Sequence, residues 1–352
     1  MDSTYVGAYG RISALKSDLL GPQVLDQLNQ KDIDEFTKTL SNTSYRKEVD
    51  SFSGMYKGAD LVSVVLSAHM MRMIKAATSP IPPLAKNFVD AYLSKWDIEN
   101  IKLILSSKRL GYEVEKTESF LMVNRNVPVG TFSGVISRED YINMINQKDI
   151  EGVINSLVKY GYGTVLLKYI DEAKSPTGTL DRMFLALDLY YFNRLVNAFR
   201  MYNGDESPVL EFIKDGIDIR NSVTAIKMVE FGYKDIKEYI IPGGHLAESK
   251  LVEMASKDLQ SIRNELPFRI DAAFDLYKKE QFVTYLNTAL EREMYRKYLK
   301  TFGSLALSLE SIMSFILRCE LERYELRAIW LSKLYRLSSE RYEGMRMLKY
   351  VM

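Results

Sequence analysis

The chain has 352 residues, of which 47% are apolar, with 47 basic residues against 46 acidic, a balance that leaves no global attraction to nucleic acid. A single cysteine, Cys319, excludes an intramolecular disulfide framework and fits a reducing compartment. The opening Asp2-Ser3-Thr4 lacks the apolar run of a secretory leader, and the best candidate for a membrane span, 303–317, is interrupted by Glu310, so the sequence predicts no direct span of a membrane.

In chain order, the first element is Leu28-Asn29-Gln30-Lys31-Asp32-Ile33-Asp34. Ile33, Phe36 and Leu40 then fall on one helical face, and Asp32 suits the N-cap, with Glu35 three residues on. Tyr45 follows, and His69 sits in an apolar helical stretch, 64–73, as a core residue. Pro80-Ile81-Pro82-Pro83 breaks the chain. Next, Asp97-Ile98-Glu99-Asn100 opens a helix through Ile101, Ile104 and Leu105 that stops near Gly111, with Lys102, Lys108 and Arg109 complementing the dipole of its C-terminal half. Segment 120–129 is the best strand candidate, and Val127-Pro128-Val129-Gly130 marks a junction.

The chain then begins again. Ile145-Asn146-Gln147-Lys148-Asp149-Ile150-Glu151 repeats the first element 117 residues on, and Ile150, Val153, Ile154 and Leu157 supply its helical face. Tyr162 repeats Tyr45 at the same offset. Ser175-Pro176-Thr177-Gly178 and Asn203-Gly204-Asp205-Glu206-Ser207-Pro208 are connections. Asp218-Ile219-Arg220-Asn221 and Phe231-Gly232-Tyr233 match Asp97-Ile98-Glu99-Asn100 and Leu110-Gly111-Tyr112. After a short strand-like stretch, 237–241, the turn Ile241-Pro242-Gly243-Gly244 marks a second junction.

A third copy carries Lys257-Asp258 and the face Leu259, Ile262 and Leu266. Ile270-Asp271, Phe274 and Phe282 repeat Leu180-Asp181, Phe184 and Phe192. The last element, Glu322-Arg323-Tyr324-Glu325, is the weakest match, with Glu325 in place of the asparagine. The repeat positions singled out are therefore Lys31, Asp32, Lys148, Asp149, Lys257 and Asp258, and then Asp97, Asn100, Asp218, Asn221, Glu322 and Glu325. They predict an all-α protein of three similar helical modules, 1–125, 126–240 and 241–352. The two asparagines are read as hydrogen-bonding groups that fix helix packing.

The search for chemistry finds little. His69 and His245 lie far apart without ligand-spaced partners, and His245 reads as a solvated loop residue. Phosphate loop, dinucleotide fingerprint, nucleophile elbow and zinc-protease motif are all missing from the sequence. No catalytic residue, cofactor site or metal site is assigned. The 23 tyrosines suit either the core or half-wet interfaces.

Several stretches resemble one known family across the whole chain. They are Tyr5…Tyr9-Gly10-Arg11…Leu15…Leu19-Leu20, Trp96-Asp97-Ile98-Glu99-Asn100-Ile101-Lys102, Ile241-Pro242-Gly243-Gly244 and Glu320-Leu321-Glu322…Leu326-Arg327-Ala328-Ile329. Their order and spacing are similar to the central-stalk C subunits of archaeal A-type ATP synthases, a family that includes the C subunits of bacterial V-type enzymes and the d subunits of eukaryotic V-ATPases. Glu325 and a weakened second copy at Ser222-Val223 depart from the pattern. The resemblance implies a funnel of three modules about a pseudo-threefold axis. Its mouth would receive the central shaft, made of the D and F subunits, and its opposite face would sit on the membrane proteolipid ring at the cytoplasmic side. It implies a rotor component without catalytic residues or cofactors, in a machine that makes ATP or pumps protons or sodium. An all-helical repeat scaffold binding peptides or protein partners is the alternative, followed by a helical enzyme with an unrecognised site.

Overall fold

The computed structural model describes residues 3–112, 123–124, 127–128, 135–203, 207–232 and 235–351. The fold is all-α. The only strands among the described residues form a two-residue antiparallel ladder pairing Val123 with Pro128 and Asn124 with Val127. That ladder lies in the predicted strand segment, of which 120–122, 125–126 and 129 fall outside the described residues, as do Gly130, Gly204, Asp205, Glu206 and Tyr233. The second predicted strand, 237–241, is instead a 3-10 turn over Lys237–Tyr239. The reason is that Asn221 takes both backbone groups of Ile241: its Nδ2 donates to the carbonyl at 2.8 Å and its Oδ1 accepts the N–H at 2.9 Å.

The chain divides into two compact units. One comprises Met1–Val49, Met73–Ile81 and Asn203–Met352; the other comprises Asp50–Arg72 and Pro82–Tyr202. In the second unit the helix Lys95–Arg109 contributes Ile98, Ile101, Ile104 and Leu105 to a core with Tyr141, Ile145, Val153, Ile154, Leu157 and Tyr162. Ile150, Val153, Ile154 and Leu157 are the i, i+3, i+4, i+7 face read from the sequence, now buried. Gly163 permits a close backbone approach in that core, since a Cβ there would stand 2.4 Å from the Ile154 carbonyl oxygen.

In the first unit the helices Pro208–Phe231, Val283–Gly303 and Leu309–Leu334 are the long elements. Phe212 packs edge-on against Tyr298 at 5.2 Å and Phe302 at 5.9 Å. Phe36 packs on Trp330 at 5.3 Å, joining the first copy of the repeat to the last long helix. One pair of equivalent segments differs in its continuity. Leu180-Asp181 starts an unbroken helix, Asp181–Asn203, whereas Ile270-Asp271 starts Asp271–Glu280, which stops at Gln281 with φ 58° before Val283–Gly303 resumes.

The helix Gly58–Thr78 meets the length and composition of a membrane span, with a mean hydropathy of 1.2, and is a stronger candidate than the predicted stretch 303–317; 67% of its most apolar window is buried inside the protein, as in a core helix. The predicted face Leu259, Ile262 and Leu266 is also shorter than expected. The helix covers Leu259–Ile262 alone and passes through a 3-10 turn to Leu266, which is extended (φ −67°, ψ 150°), the conformation favoured before proline.

Candidate functional site

The Lys-Asp elements occupy one structural role three times. Asp32 Oδ1 accepts the N–H of Glu35 at 2.8 Å, Asp149 Oδ1 that of Gly152 at 2.9 Å, and Asp258 Oδ1 that of Ser261 at 2.9 Å. Each aspartate caps the helix that follows and satisfies one of its free donors. Glu35 turns to Lys31 at 3.1 Å. Lys257 pairs with Glu253 at 2.5 Å and with Glu265, and Lys148 is exposed. These positions hold local structure and present no reactive group.

The second set of positions reaches across the repeat. Asp97, Asp218 and Glu322 are all buried. Asp97 Oδ1 accepts the hydroxyl of Tyr141 at 2.6 Å, and burial, together with the charge of Asp97, raises the pKa of the Tyr162 hydroxyl. Asp218 accepts the backbone N–H of His245 at 2.9 Å and of Leu246 at 3.0 Å; burial still raises its pKa. Glu322 accepts the Tyr45 hydroxyl at 2.7 Å and the Leu20 N–H at 2.5 Å, and burial pushes its pKa up to about 7 against those two donors. Each acid therefore sits on the last long helix of one copy and binds the opening segment of another: copy one binds copy two, copy two binds copy three, and copy three binds copy one.

The residue three positions on serves the same seam in two copies. Asn221 clamps Ile241, and Asn100 lies against the Tyr141 hydroxyl at 3.5 Å. Glu325, in the third copy, does other work. Fully buried, it accepts the N–H groups of Met347 at 3.0 Å and Leu348 at 3.1 Å and pairs with Arg346 Nε at 2.6 Å, tying down the C-terminal segment. A carboxylate at this place accepts only, so it suits a turn of free N–H groups where asparagine suits a mixed donor and acceptor.

Two lysines whose partners sequence reasoning did not find reinforce the pattern. Lys108 Nζ donates to the carbonyl of Ile145 at 2.5 Å, and Lys333 Nζ to that of Asn29 at 2.7 Å. Both stand eleven residues after their copy's buried acid and neutralise the end of the helix before the next Lys-Asp element; burial lowers the pKa of each. The second copy has Val229 there. The signal was a shared distance from the acid, visible only once the acid is taken as the origin.

His245 is an exposed loop residue, as the sequence reading has it, but its Nε2 stands 3.1 Å from Glu211 and 3.7 Å from Asp215, so carboxylates that its sequence neighbourhood does not reveal lie within reach. Asp215, Asp218 and His245 could converge on one point. Both carboxylates are already engaged, since Asp215 Oδ2 takes Lys297 Nζ at 2.7 Å and the Tyr298 hydroxyl at 2.8 Å and Asp218 takes two backbone N–H groups. The Lys297 ammonium on Asp215 makes this an ion-pair network. His69 is buried, with Nδ1 3.1 Å from Arg72 Nη2. Cys319 is buried, and burial raises its thiol pKa, which makes it inert.

Comparisons with known proteins lead to one family. A family model described as ATP synthase (C/AC39) subunit matches residues 8–345. The chain is 38% identical over 339 residues to the C subunit of the A-type ATP synthase of Thermoplasma acidophilum, covering 95% of each chain. It is 36% identical over 341 residues to that of Thermoplasma volcanium, covering 95% of this chain and 96% of the relative. It is 27% identical over 349 residues to that of Archaeoglobus fulgidus, covering 95% and 93%. With its three copies, its buried acids committed to structure and relatives matched over nearly their whole length, the chain belongs to the ATP synthase (C/AC39) subunit family.

Proposed function

We propose that the chain is the non-catalytic socket of an A-type ATP synthase rotor, joining the foot of the D and F shaft to the membrane proteolipid ring from its cytoplasmic side. In this reading the modules 1–125, 126–240 and 241–352 stand about a pseudo-threefold axis as a funnel. The socket passes torque between ion flow, of protons or sodium, and nucleotide chemistry carried out by other components of the machine. The observation that carries the reading is the head-to-tail contact of the three acids, with Glu322 bound to Leu20 and Tyr45. A succession of copies in which the last binds the first supports a closed, stiff body, and stiffness is what a torque adaptor requires.

Reconstitution tests it. Complexes assembled without the chain should hydrolyse ATP in the head while ion pumping stops, and adding the purified chain should restore pumping. Full ion pumping without the chain, or ATP turnover by the chain alone, would overturn the reading.

A further inference from the structure

The helices Pro83–Leu93 and Asp181–Asn203 leave a cleft of about 520 Å3 between them within the second compact unit. Its base is firm, for Phe88 packs edge-on against Phe199 at 5.7 Å and both rings are buried. Ala91 and Ala198 line the cleft, and side chains this small leave the space open. Asn87 stands on one helix, and Asn193 and Asn197 stand on the other. None of these three carboxamides makes a hydrogen bond among the described residues. Leu84 and Met201 complete the apolar part of the lining and are 48% and 75% exposed. The one acid and the one base of the lining, Asp90 and Arg194, balance each other.

We propose that this cleft binds an extended, uncharged peptide segment of another protein. The site stands independently of the socket reading. A carboxamide offers a donor and an acceptor side by side, the complement of a peptide bond. Asn193 and Asn197 are four residues apart on one helix, about 6 Å along its axis. Alternate residues of an extended chain are roughly 6.6 Å apart, so both asparagines can read the main chain of one strand-like segment. A helical ligand has those groups already paired and leaves the carboxamides nothing to bind. A phosphate-bearing ligand or a metal ion finds no excess of charge in the lining. Leu84 and Met201 add apolar contact for the ligand's side chains, and the pliable thioether of Met201 tolerates their shape. A sugar would make no such use of these two residues.

The probe is a displayed library of short random peptides, panned on the full-length chain with Ala198→Phe, whose cleft is filled, as the competitor. Thermal unfolding checks that each variant is folded. The recovered peptides should be uncharged, and one of them, synthesised and labelled, should bind wild type on the order of tenfold more tightly than Ala198→Phe. Asn87→Ala, Asn193→Ala and Asn197→Ala should each weaken binding about threefold to tenfold, the loss of one net hydrogen bond. N-methylation of the peptide's main-chain amides should weaken it likewise, and Lys86→Ala, outside the cleft, should change nothing. Recovery of no peptide that prefers wild type to Ala198→Phe would overturn the proposal. So would peptides that bind as helices, that keep full affinity after N-methylation, or that bind the triple asparagine variant undiminished. Should Ala198→Phe fail to fold, the three variants at the exposed asparagines decide alone.

Discussion

The hydroxyl of Tyr45 donates to Oε1 of Glu322 at 2.7 Å across 277 residues of chain, and both groups are buried. Removing the donor leaves a buried carboxylate oxygen short of a partner. Tyr45→Phe should therefore cost about 1–3 kcal/mol, read by chemical denaturation, with little change in the denaturant slope. A double-mutant cycle with Glu322→Gln should show coupling between the two positions.

Glu322 also gives stability a pH dependence of definite sign. Its pKa rises from 4.5 to about 7 on folding, chiefly through burial, so the native state holds its proton where the unfolded state has lost it. The contribution is complete below the unfolded value and is lost as pH rises through the folded one. Between about pH 4.5 and pH 7 this group should lower stability by up to ~3 kcal/mol. Glu322→Gln, which stays neutral, should flatten that part of the stability–pH curve. An unchanged slope in the variant would contradict the assignment.

Gly244 packs against Asp218. A Cβ at this position would lie 2.1 Å from Asp218 Oδ1 and 3.0 Å from its Cγ, and the carboxylate is held by two backbone N–H groups. Gly244→Ala should destabilise by about 1–3 kcal/mol in thermal or chemical unfolding. Gly10, in the helix Ser3–Leu15, has nothing within 4 Å of its Cβ position, so Gly10→Ala should be neutral or stabilising, by up to about 1 kcal/mol.

Arg336 carries the left-handed turn that glycine carries in the other two copies. Arg336→Gly should raise stability by about 0.5–1 kcal/mol, after the greater freedom of glycine in the unfolded chain is taken into account. Differential scanning calorimetry at one pH would show the higher melting temperature.

What could be read in the sequence follows the range of each interaction. The three capping aspartates act on a donor three residues away, so pattern and role lie together in Asp32, Asp149 and Asp258. The Asp97 helix was legible to its end because its stripe and its glycine stop are both local. The partners of Asp97, Asp218 and Glu322 were not, because Tyr141, His245 and Leu20 are distant in sequence and two of the bonds to Asp218 go to backbone, which carries no residue-type signal. His245 read as solvated for the same reason, its acidic neighbours lying on the helix Pro208–Phe231. At 237–241 a weak alternation lost to Asn221, which occupies both backbone groups of Ile241.

The bond between Leu20 and Glu322 has a consequence for biosynthesis. The segment around Leu20 lacks its anchor until some three hundred further residues have been translated, since the groups it must meet, Glu322, Trp330 and Lys333, all belong to the helix Leu309–Leu334. Closing so long a loop is slow. Until then Phe36 and the buried face around Leu28 and Leu40 remain without their native cover, so this apolar surface stays open to wrong contacts while the rest of the chain is made.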